Sequence, residues 1–199
     1  MKSAARLAAL LFCLCLSLPA RAAEVKTSGR YRYFVENGGA VIVEYNGVAE
    51  NLIVPDTLGG KPVVAVGAFA FWQNEKTVSV TLPATVERID PAAFGTCARL
   101  AEITLQNERY RFEDGALYDA QNAALHTVLF ARKTDTFAVP DGVRSIGAYA
   151  FANHAELTRV TLPDSLESIG DSAFMWCESL DGVSLPDGLK SLGSRAFYF

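Results

Sequence analysis

Large apolar residues recur every 23 residues along the second half of the chain. Phe151, Phe174 and Phe197 form the clearest series. Three further series share this interval: Pro140, Pro163 and Pro186; Ile146, Ile169 and Leu192; Leu157 and Leu180. A fixed period of this length is typical of a solenoid, in which one supersecondary unit stacks on the next. The pattern therefore predicts a stack of short units that share one continuous core.

Each unit begins with two short apolar segments that are separated by a turn. Residues 157–162 follow the pattern L-x-x-V-x-L, and the dipeptide Pro163-Asp164 comes directly after them. Proline followed by aspartate is typical of a β-turn, because proline fixes the backbone angle that the turn requires. Residues 166–169 form the second apolar segment. We therefore expect two short strands in every unit.

The remainder of the unit is predicted to be helical. In one unit Asp90 precedes Pro91, and an N-cap residue followed by proline typically begins a helix. The equivalent segment, Asp171–Cys177, is therefore expected to form one or two helical or 3₁₀ turns with Phe174 directed inward. The predicted fold class is α/β, a leucine-rich-repeat solenoid of ~23-residue units with short strands and one short helix or 3₁₀ turn per unit.

Two segments depart from the period, and both are predicted to be β-structure. Residues 23–51 alternate apolar and polar side chains around Asn37-Gly38, a hairpin signature that we expect to cap the first turn. Residues 105–136 interrupt the repeat. They are too apolar for a disordered linker, so we expect a β-meander attached to one edge. The interrupted solenoid is expected to occupy residues 52–199.

The repeat resembles that of BspA-like leucine-rich repeat proteins, whose unit reads roughly I-P-x-x-V-x-x-I-G-x-x-A-F-x-x-C-x-x-L-x-x-V. This chain contains LPATVERIDPAAFGTCARLAEI, VPDGVRSIGAYAFANHAELTRV and LPDSLESIGDSAFMWCESLDGV. The resemblance covers about residues 52–199 and is specific to the fold. It implies a secreted or surface protein of bacteria or some protists, and some members are thought to bind host proteins. It brings no catalytic residue, because fold and function separate readily.

The first 22 residues have the features of a secretory signal peptide. Lys2 and Arg6 precede an apolar run over residues 7–18 that is too short to span a bilayer, and Ala20-Arg21-Ala22 is a cleavage signal. Cleavage changes the net charge from −4 to −7, because the segment holds three basic residues and no acid. This acidity argues against nucleic acid and anionic membrane as partners. We expect the mature chain to be secreted or at the cell surface, or in a periplasm, with no membrane span.

Two groups of residues are candidates for binding. The first group consists of polar residues on the predicted solvent face of the strands: Thr81, Glu102, Thr104, Arg159, Thr161 and Ser184. The three threonines and the serine share one repeat position, and their hydroxyls would form a stripe. Aromatic residues that follow the core phenylalanine form the second, and its last two members are one period apart and would stack: Trp72, Trp176 and Phe199. Exposed aromatics suit protein or glycan contact. The alternative is structural, β-propensity for the hydroxyls and cover of the core for the aromatics.

The cysteines and histidines indicate no chemistry. Cys97 and Cys177 occupy one repeat position two turns apart, roughly 10 Å at the ~4.8 Å strand spacing, which is too far for a disulfide. We expect free buried thiols. His154 occupies the same position, and His126 has no ligand partner at a suitable spacing. No metal, cofactor or catalytic site is therefore expected.

These features predict an exported, non-enzymatic protein-recognition module whose partner is an extracellular or host protein. A structural spacer or a fragment of a larger surface protein is the first alternative, and an enzyme with an unrecognised site is the second. The last unit stops at Phe199, before its second half. Its open end is expected either to self-associate or to continue in a longer protein.

Overall fold

All regular secondary structure is β-strand in the computed structural model, which describes residues 23–121 and 123–198. The predicted signal peptide, residues 1–22, lies outside the described residues. The strands are, in chain order, β1 (Lys26–Ser28), β2 (Tyr31–Glu36), β3 (Gly39–Tyr45), β4 (Asn51–Ile53), β5 (Thr57–Leu58), β6 (Lys61–Val66), β7 (Ser79–Leu82), β8 (Arg88–Ile89), β9 (Glu102–Leu105), β10 (Tyr110–Glu113), β11 (Ala116–Asp119), β12 (Ala124–Val128), β13 (Thr136–Ala138), β14 (Ser145–Ile146), β15 (Arg159–Thr161), β16 (Ser168–Ile169) and β17 (Ser191–Leu192).

The period of 23 residues is the distance from one strand to its parallel neighbour. Val80 of β7 pairs with Ile103 of β9, and Phe137 of β13 pairs with Val160 of β15. β12, β14, β16 and β17 form a second parallel ladder, in which Ile146 pairs with Ile169. The prediction of a solenoid of ~23-residue units is confirmed, and the structure shows it as a β-solenoid.

Stacked backbones approach closely at the glycine that follows the second strand of a unit. A Cβ atom on Gly170 would lie 2.5 Å from the backbone nitrogen of Ala148 in the preceding turn, and a Cβ on Gly193 would lie 2.4 Å from that of Asp171. No side chain fits at such distances. The glycines therefore permit the short spacing between turns.

The prediction of a helix in each unit is wrong, because the described residues contain none. Consecutive turns replace it; we call residues 68–73, 91–96, 148–153, 171–176 and 194–197 the turn segments. The segment at 171–176 holds Ser172 at φ 54° and Trp176 at φ 59°, in the left-handed region. A right-handed helix cannot pass through such residues. The α/β class is therefore replaced by an all-β solenoid in the part of the chain that the structure describes.

Some backbone N–H groups of a turn segment donate to carbonyls of the same segment, and others donate to carbonyls of the equivalent segment in the next layer of the solenoid. Met175 N–H donates to Ser172 O at 3.0 Å within the segment, whereas Phe174 N–H donates to Ala196 O of the following turn at 2.7 Å. The inter-turn bonds bring the core aromatic rings into register. Phe174 lies between Phe151 and Phe197, with ring centroids 4.7 and 4.9 Å apart and nearly parallel planes. Besides the two parallel strand ladders, the solenoid thus has a third side, in which the turn segments stack on one another over a column of phenylalanine rings.

The N-terminal hairpin is the first layer of the stack. β2 and β3 are antiparallel around Asn37 and Gly38, whose φ angles of 49° and 85° are those of a tight hairpin turn. β3 also pairs in parallel with β6, where Ile42 lies opposite Val66. The hairpin therefore continues the sheet of the solenoid.

The interrupting segment lies within the stack and is not attached to one edge of the solenoid as expected. β10, β11 and β12 form an antiparallel meander, and β12 continues into the solenoid by pairing in parallel with β14. Successive side chains of β11 face opposite ways: Leu117 packs into the buried cluster of the preceding turns, and Tyr118 into that of the following turns. We call these clusters the N-terminal core and the C-terminal core. The single core expected from the repeat is thus divided by the meander.

Side chains of the meander complete the backbone hydrogen bonds where the turns do not stack directly. β8 pairs with β6 on one side. On its other side, Ile89 N–H donates to the Tyr110 hydroxyl at 3.0 Å, and His126 Nε2 lies 2.6 Å from Ile89 O. Asn107 Nδ2 donates to Val86 O at 2.8 Å in the same way. These contacts join the preceding turn to the meander.

Candidate protein-binding surface

The sheet formed by β4, β7 and β9 presents one face to solvent. Alternation along the strands buries one residue in two, so Leu52, Val80 and Ile103 contribute to the N-terminal core. The alternate residues form what we call the sheet face: Asn51, Ile53, Ser79, Thr81, Glu102 and Thr104. It contains three of the predicted binding residues, Thr81, Glu102 and Thr104.

Polar contacts order the sheet face at its edges. Ser79 Oγ donates to Asn51 Oδ1 at 2.9 Å, and Thr104 Oγ1 lies 3.5 Å from Glu102 Oε1. The N-terminal side carries an exposed ion pair, in which Arg99 Nη1 is 3.1 Å from Glu50 Oε1. Exposed pairs of this kind add at most about 1 kcal/mol to stability. The rim is therefore polar and hydrated.

Ile53 is the residue of this face that the sequence analysis missed. Its side chain is 75% exposed, the largest exposure among the large hydrophobic residues of the described chain, and its neighbour across the sheet is Thr81. The signal was present in the run Leu52-Ile53-Val54. A strand cannot direct three successive side chains to one face, so one of them had to be outside the core.

The hydroxyls do not form the single stripe that was predicted. Thr81 lies opposite Thr104, but Thr161 of β15 lies opposite Ala138 of the separate two-stranded sheet. Ser184 is exposed and lies outside any strand. The meander accounts for the separation, because it breaks the ladder between β9 and β13. The sheet face is thus limited to three strands.

Arg159 accompanies Thr161 and not the sheet face. Both residues are on β15 and exposed, and Arg159 lies opposite Thr136. The structure therefore divides the predicted strand residues into two groups, one on each side of the meander.

The predicted aromatic ladder lies partly outside the described residues. Trp176 is only 8% exposed, so it covers the C-terminal core, and Phe199 lies outside the described residues. The stacked series is instead the buried Phe151, Phe174 and Phe197. Trp72 is half-buried, and its ring packs edge-on against Phe69 with centroids 5.3 Å apart.

The cysteines at one repeat position contact the backbone of the preceding turn, whereas His154 Nδ1, at the same position, lies 3.0 Å from Phe151 O of its own turn. Cys97 and Cys177 are free and buried, as expected, and their sulfurs lie 2.9 and 3.1 Å from the carbonyl oxygens of Phe71 and Phe151. Burial raises the pKa of both thiols to about 12. Burial also lowers the pKa of His154. Among residues 23–121 and 123–198, no three His, Cys, Asp or Glu side chains are grouped so that they could hold a metal ion.

The C-terminal turn exposes apolar side chains. Leu192 of β17 is 51% exposed, and Leu185 and Tyr198 are also exposed. Association through this end remains a prediction. The described residues contain no apolar helix of membrane-spanning length.

Comparison with known proteins gives consistent results. The profile of the BspA type leucine-rich repeat region matches residues 55–138 and 130–199, in six copies. No curated protein matches the chain.

Solved structures of bacterial repeat proteins are similar to this chain. A leucine-rich repeat protein from Eubacterium ventriosum is 23% identical with a TM-score of 0.60, over 72% of this chain and 38% of that one. A leucine-rich cell surface protein from Faecalibacterium prausnitzii is 23% identical with a TM-score of 0.54, over 90% and 53%. The leucine-rich repeat protein of T. pallidum is 28% identical with a TM-score of 0.44, over 88% and 67%. The chain thus spans about half or less of the length of the first two.

Proposed function

Because the chain belongs to the family of BspA-type leucine-rich repeat proteins, we propose that it is an exported, non-enzymatic module that recognises a protein through its sheet face. The main support is the exposure of Ile53, a β-branched apolar residue that is 75% exposed on a regular strand. Protein interfaces typically have an apolar centre and a polar rim. Ile53 on the edge strand β4 pairs with Thr81, which in turn pairs with Thr104, so hydroxyls border the apolar residue on one side. Burial of Ile53 on a partner would contribute roughly 1.5–3 kcal/mol.

Export is supported by the sequence and by one relative. The chain begins with a predicted signal peptide, and the Faecalibacterium prausnitzii structure is that of a cell surface protein. The proposed partner is therefore an extracellular or host protein. The proposed location is the cell surface or the medium, or a periplasm.

The test is binding of the mature chain to a panel of purified extracellular-matrix proteins, measured by surface plasmon resonance. Ile53→Lys is expected to weaken the interaction about tenfold or more, because it replaces the exposed apolar side chain with an ammonium group. Val48→Lys is the matched control, since Val48 is 73% exposed but lies outside the sheet. An equal loss in both variants would contradict binding through the sheet face.

A structural spacer is the second candidate, and the lengths of the relatives favour it. This chain spans only 53% and 38% of the two structures with the higher similarity scores. A set of turns within a longer surface protein can position other domains without binding anything itself. Absence of binding to every matrix protein of the panel would support this second function over the first.

A further inference from the structure

A cleft lies between the N-terminal hairpin and the first turn segment, away from the sheet face. It encloses about 380 Å³ and is lined by both elements. Arg32, Glu44 and Asn46 come from the hairpin side, and Phe69 and Trp72 come from the turn segment. This volume lies within the range of small-ligand sites, about 300–1,000 Å³.

The aromatic wall is held in place from several directions. Trp72 packs edge-on against Phe69, and a Cβ atom on Gly95 would lie 2.5 Å from the Trp72 ring. Phe69 in turn packs edge-on against Tyr149, with centroids 5.9 Å apart. The positions equivalent to Phe69 and Trp72 in the next turn segment are Ala92 and Gly95, so in that segment no ring fills either position. Both Phe69 and Trp72 remain partly exposed.

The polar wall carries donors and acceptors without net charge. Arg32 Nη1 is hydrogen-bonded to Glu44 Oε2 at 2.5 Å, and both side chains stay accessible to solvent. Asn46 adds an exposed amide. These are the lining residues with charged or amide side chains. A ligand complementary to the cleft therefore has an apolar surface, many hydroxyl groups and no net charge.

We propose that this cleft binds a neutral oligosaccharide. The C–H face of a pyranose ring packs on an aromatic ring, while its hydroxyls both donate and accept hydrogen bonds, which an arginine–carboxylate pair and an amide can satisfy together. An anionic sugar would be repelled by the net charge of −7 that remains after removal of the predicted signal peptide, and it would need a free cation, whereas Arg32 is paired with Glu44. The inference goes beyond the proposed protein recognition and shares no residue with the sheet face.

The chain has two tryptophans, which permit a direct test. Trp176→Phe leaves Trp72 as the single tryptophan, and its fluorescence is titrated with maltohexaose, cellohexaose and hexa-N-acetylchitohexaose up to millimolar concentrations. At least one of these sugars is expected to give a saturable change. Absence of a saturable change with all three would overturn the proposal.

Two cleft variants and one control locate the bound sugar by calorimetry. Trp72→Ala is expected to weaken binding about tenfold or more through loss of the stacking surface. Glu44→Gln, an exposed and conservative change, is expected to weaken it several-fold even if Trp72→Ala fails to fold. Thr161→Ala, on β15, is expected to bind as the parent does. Sugar binding that Glu44→Gln leaves unchanged would place the sugar elsewhere and overturn the proposal, whatever the result with matrix proteins.

Discussion

One repeat position is occupied by residues of different chemistry, all of which place a polar side-chain atom near a backbone carbonyl: Asn74, Cys97, His154 and Cys177. Asn74 Nδ2 donates to Gly47 O at 3.2 Å, and Cys97 Sγ donates to Phe71 O at 2.9 Å. The position requires a donor that reaches a carbonyl of the preceding turn, because an unpaired buried carbonyl is unfavourable. The amide and the thiols provide one, and the His154 imidazole lies between two carbonyls, with Nδ1 3.0 Å from Phe151 O and Nε2 3.5 Å from Leu129 O. Cysteine in this protein is thus a hydrogen-bonding core residue.

The two thiols are expected to be unreactive in the folded mature chain. Burial raises their pKa to about 12, so the reactive thiolate is scarce at neutral pH. Ellman's reagent should report no fast thiol in native protein and two thiols per chain in denaturant. A rapid reaction of the native protein, or a peptide linking Cys97 to Cys177 in a non-reduced digest, would contradict the structure.

The buried histidines are expected to make the protein less stable as the pH falls from 7 to 5. Burial lowers the pKa of His126 and His154 in the folded state, although hydrogen bonds to backbone and nearby carboxylates oppose the shift. The unfolded chain therefore binds protons first, and the stabilisation present above the ordinary pKa of about 6.5 is lost on acidification. Urea unfolding at several pH values measures it.

The matched control for the pH experiment replaces both histidines with neutral donors. His126→Gln keeps a donor towards Ile89 O, and His154→Asn copies the residue at Asn74. The double variant should show a flatter dependence of unfolding free energy on pH between 7 and 5. An identical slope in both proteins would show that other groups are responsible.

At the scale of elements, every turn segment requires a positive φ angle at a fixed position, and the residues found there differ in how well they tolerate it. The sixth residue of each six-residue segment lies at positive φ, for example Thr96 at 54°, Asn153 at 68° and Trp176 at 59°. Asparagine tolerates this region better than a β-branched residue does. Thr96 also has a buried hydroxyl without a hydrogen-bond partner. Thr96 is therefore a locally unfavourable residue.

A reciprocal exchange tests this requirement. Thr96→Asn is expected to raise the free energy of unfolding by about 1 kcal/mol, and Asn153→Thr at the equivalent position is expected to lower it by about the same amount. Thermal or denaturant unfolding of the two variants measures both changes. Changes of the same sign at the two positions would contradict the assigned backbone conformation.

The stacked phenylalanines are expected to dominate the stability of the C-terminal turns. Phe174 is fully buried between Phe151 and Phe197, so Phe174→Ala should lower the free energy of unfolding by about 3–5 kcal/mol. Thr161→Ala, at an exposed strand position, should lower it by less than about 1 kcal/mol. Equal unfolding midpoints for the two variants would show that the register of the turns is wrong.

The apolar period predicted the strands because strand pairing and core burial follow the same 23-residue spacing, as at Ile146 and Ile169. The helix was wrongly predicted from Asp90-Pro91, a local signal that occurs in one unit. The positive φ angles that replace it fall on residues such as Ala92 and Ser172, which give no glycine signal in the sequence. The exposure of Ile53 was missed because the stretched first unit obscures the strand register. Trp176 covers the core, which was the structural alternative to binding, because the repeat pattern alone does not decide between the two.

At the scale of the whole molecule, the meander decides whether the solenoid acts as one body. Leu117 and Leu129 pack into the N-terminal core, whereas Tyr118 and Val128 pack into the C-terminal core. The hydrogen bonds of Ile89 to Tyr110 and His126 replace the backbone ladder that is interrupted there. Because one sheet contributes to both cores, neither core can lose its packing without exposing the other. We therefore expect the two cores to unfold together.

Denaturant unfolding followed separately in each core tests this account most directly. Trp72 reports on the first turn in Trp176→Phe, and Trp176 reports on the C-terminal core in Trp72→Phe. Each variant is unfolded in guanidinium chloride while both its tryptophan fluorescence and its far-ultraviolet circular dichroism are recorded. If the two cores unfold together, the two signals coincide within each variant, in a single transition. A fluorescence transition that is separated from the dichroism transition in either variant would contradict this account, because the two cores would then be independent.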